Sequence, residues 1–230
     1  MEHVTENMDK KTTVTRFSES RLPTLFGDFD VAVYRCGPEQ SEAVVISRGL
    51  SGTWQEHAQN TESVFLRIHS ECFTGEVLSS QKCDCKDQLD KALKIISREG
   101  HGLVIYLRQE GRGIGLGNKI LAYGLQEKEG LDTVQANTAL GFKDDLRDFS
   151  YAVLILKDLN IRKVRLNTNN PDKINSLRDA GIDVIEVVPS ITRPNVHNSE
   201  YLRTKYHKMG HSLDRMFPDA PEGLASKSSS

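Results

Sequence analysis

The stretch Val64-Phe65-Leu66-Arg67-Ile68-His69-Ser70-Glu71-Cys72 leads from an apolar segment directly into a group of reactive side chains. Apolar residues alternate with others from Val64 to His69, which predicts a β-strand. His69 and Glu71 then share a face of that strand. Cys83-Asp84-Cys85 follows a short way along the chain. We therefore expect a sheet to position the first of three clustered thiols.

The three thiols belong to Cys72, Cys83 and Cys85 and form a donor set that favours zinc, because thiolates prefer zinc to harder cations. Three protein ligands leave a fourth position for water, whose pKa the metal lowers to about 7, as in catalytic zinc sites. Two other interpretations stay open. The cysteines could be small buried apolar residues, or Cys36 or His69 could complete a structural four-ligand site.

The composition is that of a globular protein, with 37% hydrophobic and 27% charged residues among 230. We expect one domain over residues 16–213, between polar segments 1–15 and 214–230 that are expected to be disordered. The formal charge of −2 gives no general attraction to nucleic acid or to an anionic membrane, so an anionic ligand requires local Arg and Lys.

The chain shows no bilayer-length apolar run and no secretory signal, and its four cysteines are too few and too clustered for a disulfide framework. These features predict a cytoplasmic protein.

A helix is predicted directly after the second and third cysteines. Asp87 is a candidate N-cap, apolar residues recur at helical spacing after it, and Gly100 ends the segment. The positive end of this helix dipole would stabilise thiolates and a nearby anion.

The glycine-rich segment Arg108 to Lys119 is a second candidate site. It follows a buried-looking strand, Leu103 to Leu107, and precedes a predicted helix, Ile120 to Glu129. Glycines let backbone N–H groups approach an anion, and a helix N-terminus favours negative charge. The glycine spacing fits neither G-x-G-x-x-G nor the Walker pattern. The segment is therefore either a phosphate cradle or a flexible surface turn.

The remaining pattern predicts the fold class. Further strands are predicted at Phe29 to Tyr34, Ala43 to Ser47, Val164 to Asn167 and Val184 to Val188. Further helices are predicted from Asp148 to Leu159, from Asn170-Pro171 to Gly181, and from Ser199 to Met209. Strands dominate the first third and β–α alternation the rest, which predicts a mixed α/β (α+β) domain with a central mixed β-sheet and flanking helices.

Taken together, the motifs resemble those of the GTP cyclohydrolase II family, whose members are zinc enzymes that commit GTP to riboflavin biosynthesis. The matching segments, in family order, are Leu22-Pro23-Thr24 with Gly27-Asp28-Phe29, Arg67 to Cys85, Arg108 to Lys119, Leu140-Gly141-Phe142 with Arg147-Asp148-Phe149, and Thr168-Asn169-Asn170-Pro171. The dihydroxybutanone phosphate synthase domain that is fused in many relatives is not seen, so the resemblance is to the stand-alone form.

The resemblance implies a reaction and its cofactors. GTP would be hydrolysed to 2,5-diamino-6-(5-phosphoribosylamino)pyrimidin-4-one, formate and diphosphate, with water activated by zinc attacking C8 of the guanine. Cys72, Cys83 and Cys85 would hold one Zn²⁺ per subunit, and Mg²⁺ would accompany the triphosphate. The family also implies a homodimer with GTP as its small-molecule substrate.

The resemblance implies roles for individual residues as well. Those that match the family's GTP contacts are Arg67, Ile68, His69, Ser70, Glu71, Gln88, Glu110, Gly111, Arg112, Thr133, Thr168 and Lys173. Arginine suits phosphate oxygens, and Glu or Gln can bind the edge of guanine. His69 is also a candidate proton shuttle.

Three residues match the family's catalytic positions. Tyr123 matches a tyrosine near the opening ring, and Asp145 and Arg147 match a proton acceptor and a nucleophile toward the α-phosphate. Arginine normally stays protonated, so stabilising charge is the easier role for Arg147. A solvated salt bridge is the alternative interpretation of the pair. By composition alone, Tyr123, Thr133 and Lys173 would be ordinary helix, turn and surface residues.

Lys82 and Lys86 stand where the family usually has Arg and Gly beside the C-x-C pair, which predicts altered placement of the substrate. Two alternatives to the full reaction remain: a paralogue that performs a partial reaction or serves another pathway, and a non-catalytic GTP-binding zinc protein. The second predicts loss of a metal ligand or of Asp145 and Arg147. Neither is lost, which favours catalysis.

Overall fold

A computed structural model describes residues 13–50, 63–143 and 145–209, so most of the two predicted polar segments lies outside the described residues. Its strands are β1 Val14–Thr24, β2 Gly27–Cys36, β3 Ser41–Arg48, β4 Val64–Ser70, β5 Gly102–Leu107, β6 Lys163–Asn167 and β7 Asp183–Val188. Its α-helices are α1 Phe73–Glu76, α2 Cys85–Glu99, α3 Gly115–Glu129, α4 Thr133–Ala139, α5 Ser150–Asp158, α6 Pro171–Asp179 and α7 Ser199–Met209, and a 3₁₀ turn covers Glu110–Gly113.

All seven strands form one sheet in the order β1-β2-β3-β5-β4-β6-β7. Neighbouring strands are antiparallel from β1 to β5 along this order and parallel from β5 to β7. The predicted α/β fold with a central mixed sheet is confirmed. Because β5, β4, β6 and β7 run in the same direction, their carboxyl ends meet at one edge of the sheet, where α/β proteins bind ligands.

Strand β4 is the buried centre of the sheet. Six of its seven residues are buried, as expected for a parallel strand covered on both faces. The larger core cluster includes Leu66, Ile68 and residues of α5, and the smaller one includes Phe65 and residues of α2. The alternation of β4 side chains thus anchors the strand in two cores and fixes the direction in which it enters the site.

Strand β1 was not predicted, and it contains Val14 and Thr15 from the segment expected to be disordered. Most of its side chains are exposed, so it lacks the apolar alternation that marks a half-buried strand. Its stability comes instead from a long antiparallel ladder with β2.

Two helices begin earlier than the sequence indicates. Helix α2 begins at Cys85, not near Asp87, and α3 begins at Gly115, not near Ile120. Glycine disfavours helix interiors, so the sequence predicts a loop over the glycines and a helix only from Ile120. Gly100 ends α2 in the left-handed conformation, with φ 73°, as predicted. None of the described helices is long and apolar enough to cross a bilayer.

Candidate functional site

The thiols of Cys72, Cys83 and Cys85 lie together just beyond the end of β4 and at the start of α2. Their three Sγ atoms are all within 4.8 Å of one another, and those of Cys72 and Cys83 are 3.5 Å apart. Cys72 and Cys83 are buried, and Cys85 is half-buried. This geometry confirms the clustering predicted from the sequence and is that of a possible three-thiol metal site.

Among the described residues no fourth His, Cys, Asp or Glu donor joins this group. Cys36 lies in the larger core cluster, where burial raises its thiol pKa to about 11. Both nitrogens of His69 are engaged elsewhere: Nε2 is 2.9 Å from Glu76 Oε1, and Nδ1 is 3.2 Å from Arg67 Nε. The structure therefore provides no partner for the four-ligand interpretation within these residues.

Helix α1 packs closely against the thiols of Cys72 and Cys83. A Cβ placed on Gly75 would lie 3.0 Å from Cys83 Sγ and 3.3 Å from Cys72 Sγ, so a glycine lets the helix approach the sulfurs. The carboxylate of Glu76 accepts a 2.9 Å hydrogen bond from the backbone N–H of Cys72. One short helix therefore both makes room for the thiols and fixes the loop that carries the first of them.

A cation stabilises the thiolate form of Cys72. Lys119 Nζ lies 3.2 Å from Cys72 Sγ and 2.7 Å from Glu110 Oε1. Hydrogen bonds from Cys83 and Cys85, reinforced by the charge of Lys119, hold the pKa of Cys72 well below its usual range despite burial. At least one of the three sulfurs is thus prepared to act as an anionic ligand.

Two pockets lie side by side at the carboxyl edge of the parallel strands. Both are lined by Ser70, Cys85, Arg112, Arg147 and Tyr201, so they are two halves of one cleft. We call the half that also contains Arg67 and Lys173 the basic half, and the half that contains the other two cysteines the thiol half.

The cleft gathers most of the residues predicted for the site. The basic half holds Arg67, His69, Gln88, Thr168 and Lys173; the thiol half holds Glu71, Cys72, Cys83, Glu110, Gly111, Tyr123 and Thr133; the shared boundary holds Ser70, Cys85, Arg112 and Arg147. Two predicted residues do not line either half. The Ile68 side chain is fully buried in the core, and Asp145 pairs with Arg147, which does line the cleft.

Arg67 is anchored from several sides. Its guanidinium donates hydrogen bonds to Asn167 Oδ1 at 3.1 Å, to Ser190 Oγ at 3.0 Å and to Gln88 Oε1 at 2.5 Å. Burial lowers its pKa to about 10, so it remains a cation at neutral pH. The side chain is thus a rigid positive charge, and Gln88, predicted to contact GTP, already bonds to it.

Lys173 adds a second buried basic group to the basic half. Its Nζ donates a 2.9 Å hydrogen bond to the Ile68 carbonyl. Burial, followed by repulsion from Arg147 and Arg67, holds the pKa of Lys173 well below its usual value. A bound anion would relieve this repulsion, which is the electrostatic condition for a phosphate site.

Several buried polar atoms at the cleft have no hydrogen-bond partner within the described chain. They are Ser70 Oγ, both terminal nitrogens of Arg112, and Asn170 Nδ2. Buried polar groups are normally satisfied, so these atoms indicate a polar ligand. Gly111 and Arg112 both adopt left-handed backbone, with φ 63° and 62°. Such a conformation costs energy for arginine and is characteristic of functional sites.

Asp145 and Arg147 form a two-pronged ion pair at the boundary between the halves. Arg147 Nε donates to Asp145 Oδ1 at 2.9 Å, and Nη2 donates to Oδ2 at 2.5 Å. The side chains are only 21% and 13% exposed, respectively, so the pair is not a solvated surface bridge. Burial raises the pKa of Asp145, but the hydrogen bonds and charge of Arg147 outweigh it and hold that pKa below the usual value. Arg147 stays charged because Asp145 raises its pKa against the effect of burial.

Glu110 and Tyr123 of the thiol half have different surroundings. Glu110 is engaged within the protein, since its carboxylate accepts hydrogen bonds from Phe73 N at 2.5 Å, Gly111 N at 2.8 Å and Lys119. Tyr123 lines the half beside the thiols, and burial raises the pKa of its phenol to about 12. The phenol therefore carries its proton at neutral pH.

The two lysines that depart from the family pattern have different surroundings. Lys82 Nζ lies 4.9 Å from the centroid of the Tyr123 ring, within range of a cation–π contact. Lys86 Nζ instead pairs with Asp90 at 2.8 Å, one helical turn along α2. Only Lys82 is therefore close to a predicted catalytic side chain.

Sequence reasoning missed several residues of the cleft. The lining residues among them are Lys119, Asn170, Ser190, Tyr201 and Lys205. Two more, Glu76 and Asp84, do not line the cleft but bond to residues that do, His69 and Lys205. A signal existed for Tyr201 and Lys205, since an i, i+4 pair on a predicted helix shares one face. Nothing in the sequence indicates which face of that helix meets the cleft.

A thiol cluster joined to a cation-lined cleft at the edge of parallel strands is compatible with a metal-dependent enzyme that takes an anionic ligand. The chain matches the family model for GTP cyclohydrolase II over residues 15–189. It therefore belongs to the GTP cyclohydrolase II family.

Individual relatives agree with this assignment. The GTP cyclohydrolase-2 of Buchnera aphidicola is 48% identical over 200 residues, which cover 87% of this chain and 97% of that protein. The riboflavin biosynthesis protein RibBA of Chlorobium phaeovibrioides is 45% identical over 206 residues, 90% of this chain. The chain spans about half the length of that relative, 48%. A solved two-domain 3,4-dihydroxy-2-butanone 4-phosphate synthase from A. baumannii has 17% identity and a TM-score of 0.43 over 83% of this chain and 44% of that one, too distant for an argument.

Proposed function

We propose that this protein is a GTP cyclohydrolase II that converts GTP to 2,5-diamino-6-(5-phosphoribosylamino)pyrimidin-4-one, formate and diphosphate, the first step of riboflavin biosynthesis. The observation that carries the proposal is the junction of the thiol half and the basic half in one cleft. Family membership supports it. One half suits a base undergoing metal-assisted hydrolysis, and the other suits a triphosphate.

The donor set fits zinc. In a tetrahedral zinc site, thiolate sulfurs lie about 3.8 Å apart, from Zn–S bonds of about 2.3 Å, and the observed sulfurs all lie within 4.8 Å of one another. Cys72, Cys83 and Cys85 would hold the ion. When bound, zinc supplies a Lewis acid and lowers the pKa of water for hydrolysis.

The basic half would hold the phosphates. Arg67 is a fixed cation there, a bound phosphate would favour the protonated form of Lys173, and the terminal nitrogens of Arg112 have no hydrogen-bond partner within the described chain. Arg147, which stays protonated beside Asp145, would stabilise negative charge on the phosphate that loses diphosphate. Mg²⁺ would accompany the triphosphate and neutralise part of its charge.

The thiol half would hold the guanine. Glu71 lines this half, and its carboxylate can accept hydrogen bonds from the N–H groups of the base. The protonated phenol of Tyr123 can donate a hydrogen bond or a proton to the ring as it opens. We further propose that the enzyme works as a cytoplasmic homodimer, as the family resemblance implies.

The test is to incubate zinc-loaded protein with GTP and Mg²⁺ and to quantify formate, diphosphate and the pyrimidine. We expect formate and diphosphate in equal amounts, and neither product from Cys83→Ser. Cys36→Ser is the matched control, because Cys36 lies in the core away from the thiols, and it should keep both products.

Each other outcome identifies an alternative. Diphosphate without formate would indicate a paralogue that performs a partial reaction. GTP binding without either product would indicate a non-catalytic GTP-binding protein.

A further inference from the structure

Helix α7 lies at the cleft although it falls outside residues 15–189, the part of the chain that matches the family model. Tyr201 lines both halves of the cleft, and Lys205 lines the basic half. The two residues are one helical turn apart and therefore share the face that α7 presents to the cleft. The cleft is thus closed on one side by a segment beyond the matched region.

An ion pair ties α7 to the loop that carries the thiols. Lys205 Nζ lies 3.1 Å from Asp84 Oδ1, and the Asp84 side chain is only 2% exposed. The other carboxylate oxygen accepts hydrogen bonds from Gln88 Nε2 at 2.5 Å and from Thr192 Oγ1 at 3.1 Å. Because Asp84 stands between Cys83 and Cys85, the position of α7 depends directly on the thiol loop.

The position of α7 is fixed by further contacts. Lys205 Nζ lies 4.2 Å from the Tyr201 ring centroid, so the ammonium also holds the aromatic ring. Leu202, between them, is fully buried, and α7 packs against α4. Before the helix, Asn195 and Asn198 bond each other's backbone N–H groups at 2.8 and 2.9 Å. The helix therefore has a defined docking geometry.

We propose that α7 is a substrate-binding wall, in which Tyr201 contacts the nucleotide between base and triphosphate while Lys205 and Asp84 position the helix. This inference rests on the proposed function. Tyr201 is the residue of α7 that reaches both halves, and a phenol offers an apolar face and a hydroxyl suited to a ribose. Lys205 is already neutralised by Asp84, whereas the terminal nitrogens of Arg112 have no partner in the described chain. The phosphates therefore belong to Arg112 and its neighbours, and Lys205 serves to hold α7.

Steady-state kinetics of zinc-loaded variants test the roles. Tyr201→Ala should raise the KM for GTP at least tenfold with a smaller change in kcat, and Tyr201→Phe should raise it less. Lys205→Met should also raise KM, and Lys205→Arg should recover most of the loss because it keeps the charge. Arg178→Ala, at an exposed position of α6, is the control and should behave as the wild type.

A second readout separates substrate contact from a merely structural role. In zinc-loaded wild-type protein, GTP should slow amide hydrogen exchange in residues 199–206 at least tenfold, and the effect should vanish in Tyr201→Ala while zinc content and thermal midpoint stay unchanged. The inference would be overturned if Tyr201→Ala left the KM for GTP unchanged and GTP did not slow amide exchange in residues 199–206 of the wild type. Loss of zinc from Lys205→Met would also overturn it.

Failure of the inference and failure of the proposed function have different signatures. If the wild type releases formate and Tyr201→Ala does so with the same KM and kcat, α7 is not a substrate wall and the proposed function stands. If the wild type releases no formate, but equilibrium dialysis shows GTP binding that Tyr201→Ala weakens tenfold, the inference stands and the proposed function fails.

Discussion

At the scale of single residues, His69 is a neutral member of a hydrogen-bonded chain. Arg67 Nε–H donates to Nδ1, so the ring proton resides on Nε2 and is donated to Glu76. Tyr106 donates to the other oxygen of Glu76 at 2.7 Å. With both ring nitrogens hydrogen-bonded, His69 orients Arg67 and Glu76 in this structure, and its role as a proton shuttle stays a prediction.

This environment predicts a pH effect on stability. Burial, outweighing the hydrogen bond that His69 donates to Glu76, lowers the pKa of His69 from 6.5 to about 4. Between pH 6.5 and 4, His69 is therefore protonated in the unfolded chain but not in the folded protein. The free energy of unfolding falls as the pH falls through this range. The slope is about 1.4 kcal/mol per pH unit.

Replacing His69 by Asn should remove that slope. Denaturant unfolding at several pH values between 6.5 and 4 measures it, with the exposed His197→Asn as the control that keeps the wild-type slope. Equal slopes in all three proteins would show that His69 protonates in the folded state as it does in the unfolded chain.

Gly75→Ala should weaken metal retention. The added methyl group would press on the sulfurs of Cys72 and Cys83, at 3.3 and 3.0 Å, and separate the ligands. We expect faster loss of zinc to a chromogenic chelator, by tenfold or more. The control is Gly124→Ala in α3, where a methyl group meets nothing within 4 Å. If both variants released zinc at the same rate, α1 would have shifted to accommodate the methyl group without moving the thiols.

Replacing Arg112 by Asn should weaken GTP binding while leaving the stability of the fold nearly unchanged. Asn tolerates the left-handed backbone better than Arg, and Arg112→Asn removes a guanidinium whose end nitrogens are buried without a partner. The free energy of unfolding should change by less than about 1 kcal/mol, whereas the KM for GTP should rise at least tenfold. Arg108→Asn, at a 55% exposed side chain, is the comparison. If Arg112→Asn left the KM unchanged, Arg112 would not be a phosphate ligand.

At the scale of elements, the sequence predicted those that carry a local signal. Gly100 ends α2, and Asn170 caps α6 by accepting a hydrogen bond from Asp172 N at 2.9 Å, as a Ser/Asn/Asp cap before Pro indicates. The misses include the exposed strand β1, the glycine-bearing start of α3 and the short helices α1 and α4. In β1 and at the start of α3, backbone pairing or tertiary contacts outweigh a weak or contrary local propensity.

Helix α4 was missed although its start has a strong capping arrangement. Asp132 Oδ1 accepts hydrogen bonds from Val134 N at 2.8 Å and Gln135 N at 3.0 Å, and the Gln135 side chain accepts one from Asp132 N. This capping box lies beside Thr133, which lines the thiol half. The cap thus fixes a residue of the cleft.

Asp132→Ala should cost about 1 kcal/mol of unfolding free energy, the usual value for a lost cap. Because the first turn carrying Thr133 loosens, we also expect a modest rise in the KM for GTP. Chemical denaturation and steady-state kinetics measure the two effects. Asp132→Asn keeps a good capping side chain and should lose less than half as much. Equal losses in the two variants would mean that charge, not capping, matters at this position.

At the scale of the whole molecule, the site depends on contacts between distant parts of the chain. Arg67 bonds to Asn167, and Asp84 pairs with Lys205; these residues are 100 and 121 positions apart in the chain. The thiol positions could be predicted because they lie close together in sequence, but these pairs depend on strand order, which no local pattern encodes. The resemblance to a family supplied many cleft residues; the groups that orient them required the fold.

The same sheet should make the described domain unfold as one unit. Leu66 is fully buried in the central strand β4 and pairs with Leu103 of β5 and Leu166 of β6, so it couples both sides of the sheet. Leu66→Ala should therefore cost about 2–5 kcal/mol and lower the thermal midpoint by roughly 2–4 °C per kcal/mol. Leu25→Ala, at a fully exposed side chain, should change stability by less than about 0.5 kcal/mol.

On heating Leu66→Ala, the circular dichroism signal and the activity of the same samples should decline together. Two separate transitions would instead mean that the antiparallel strands and the parallel strands, which hold the cleft, fold independently.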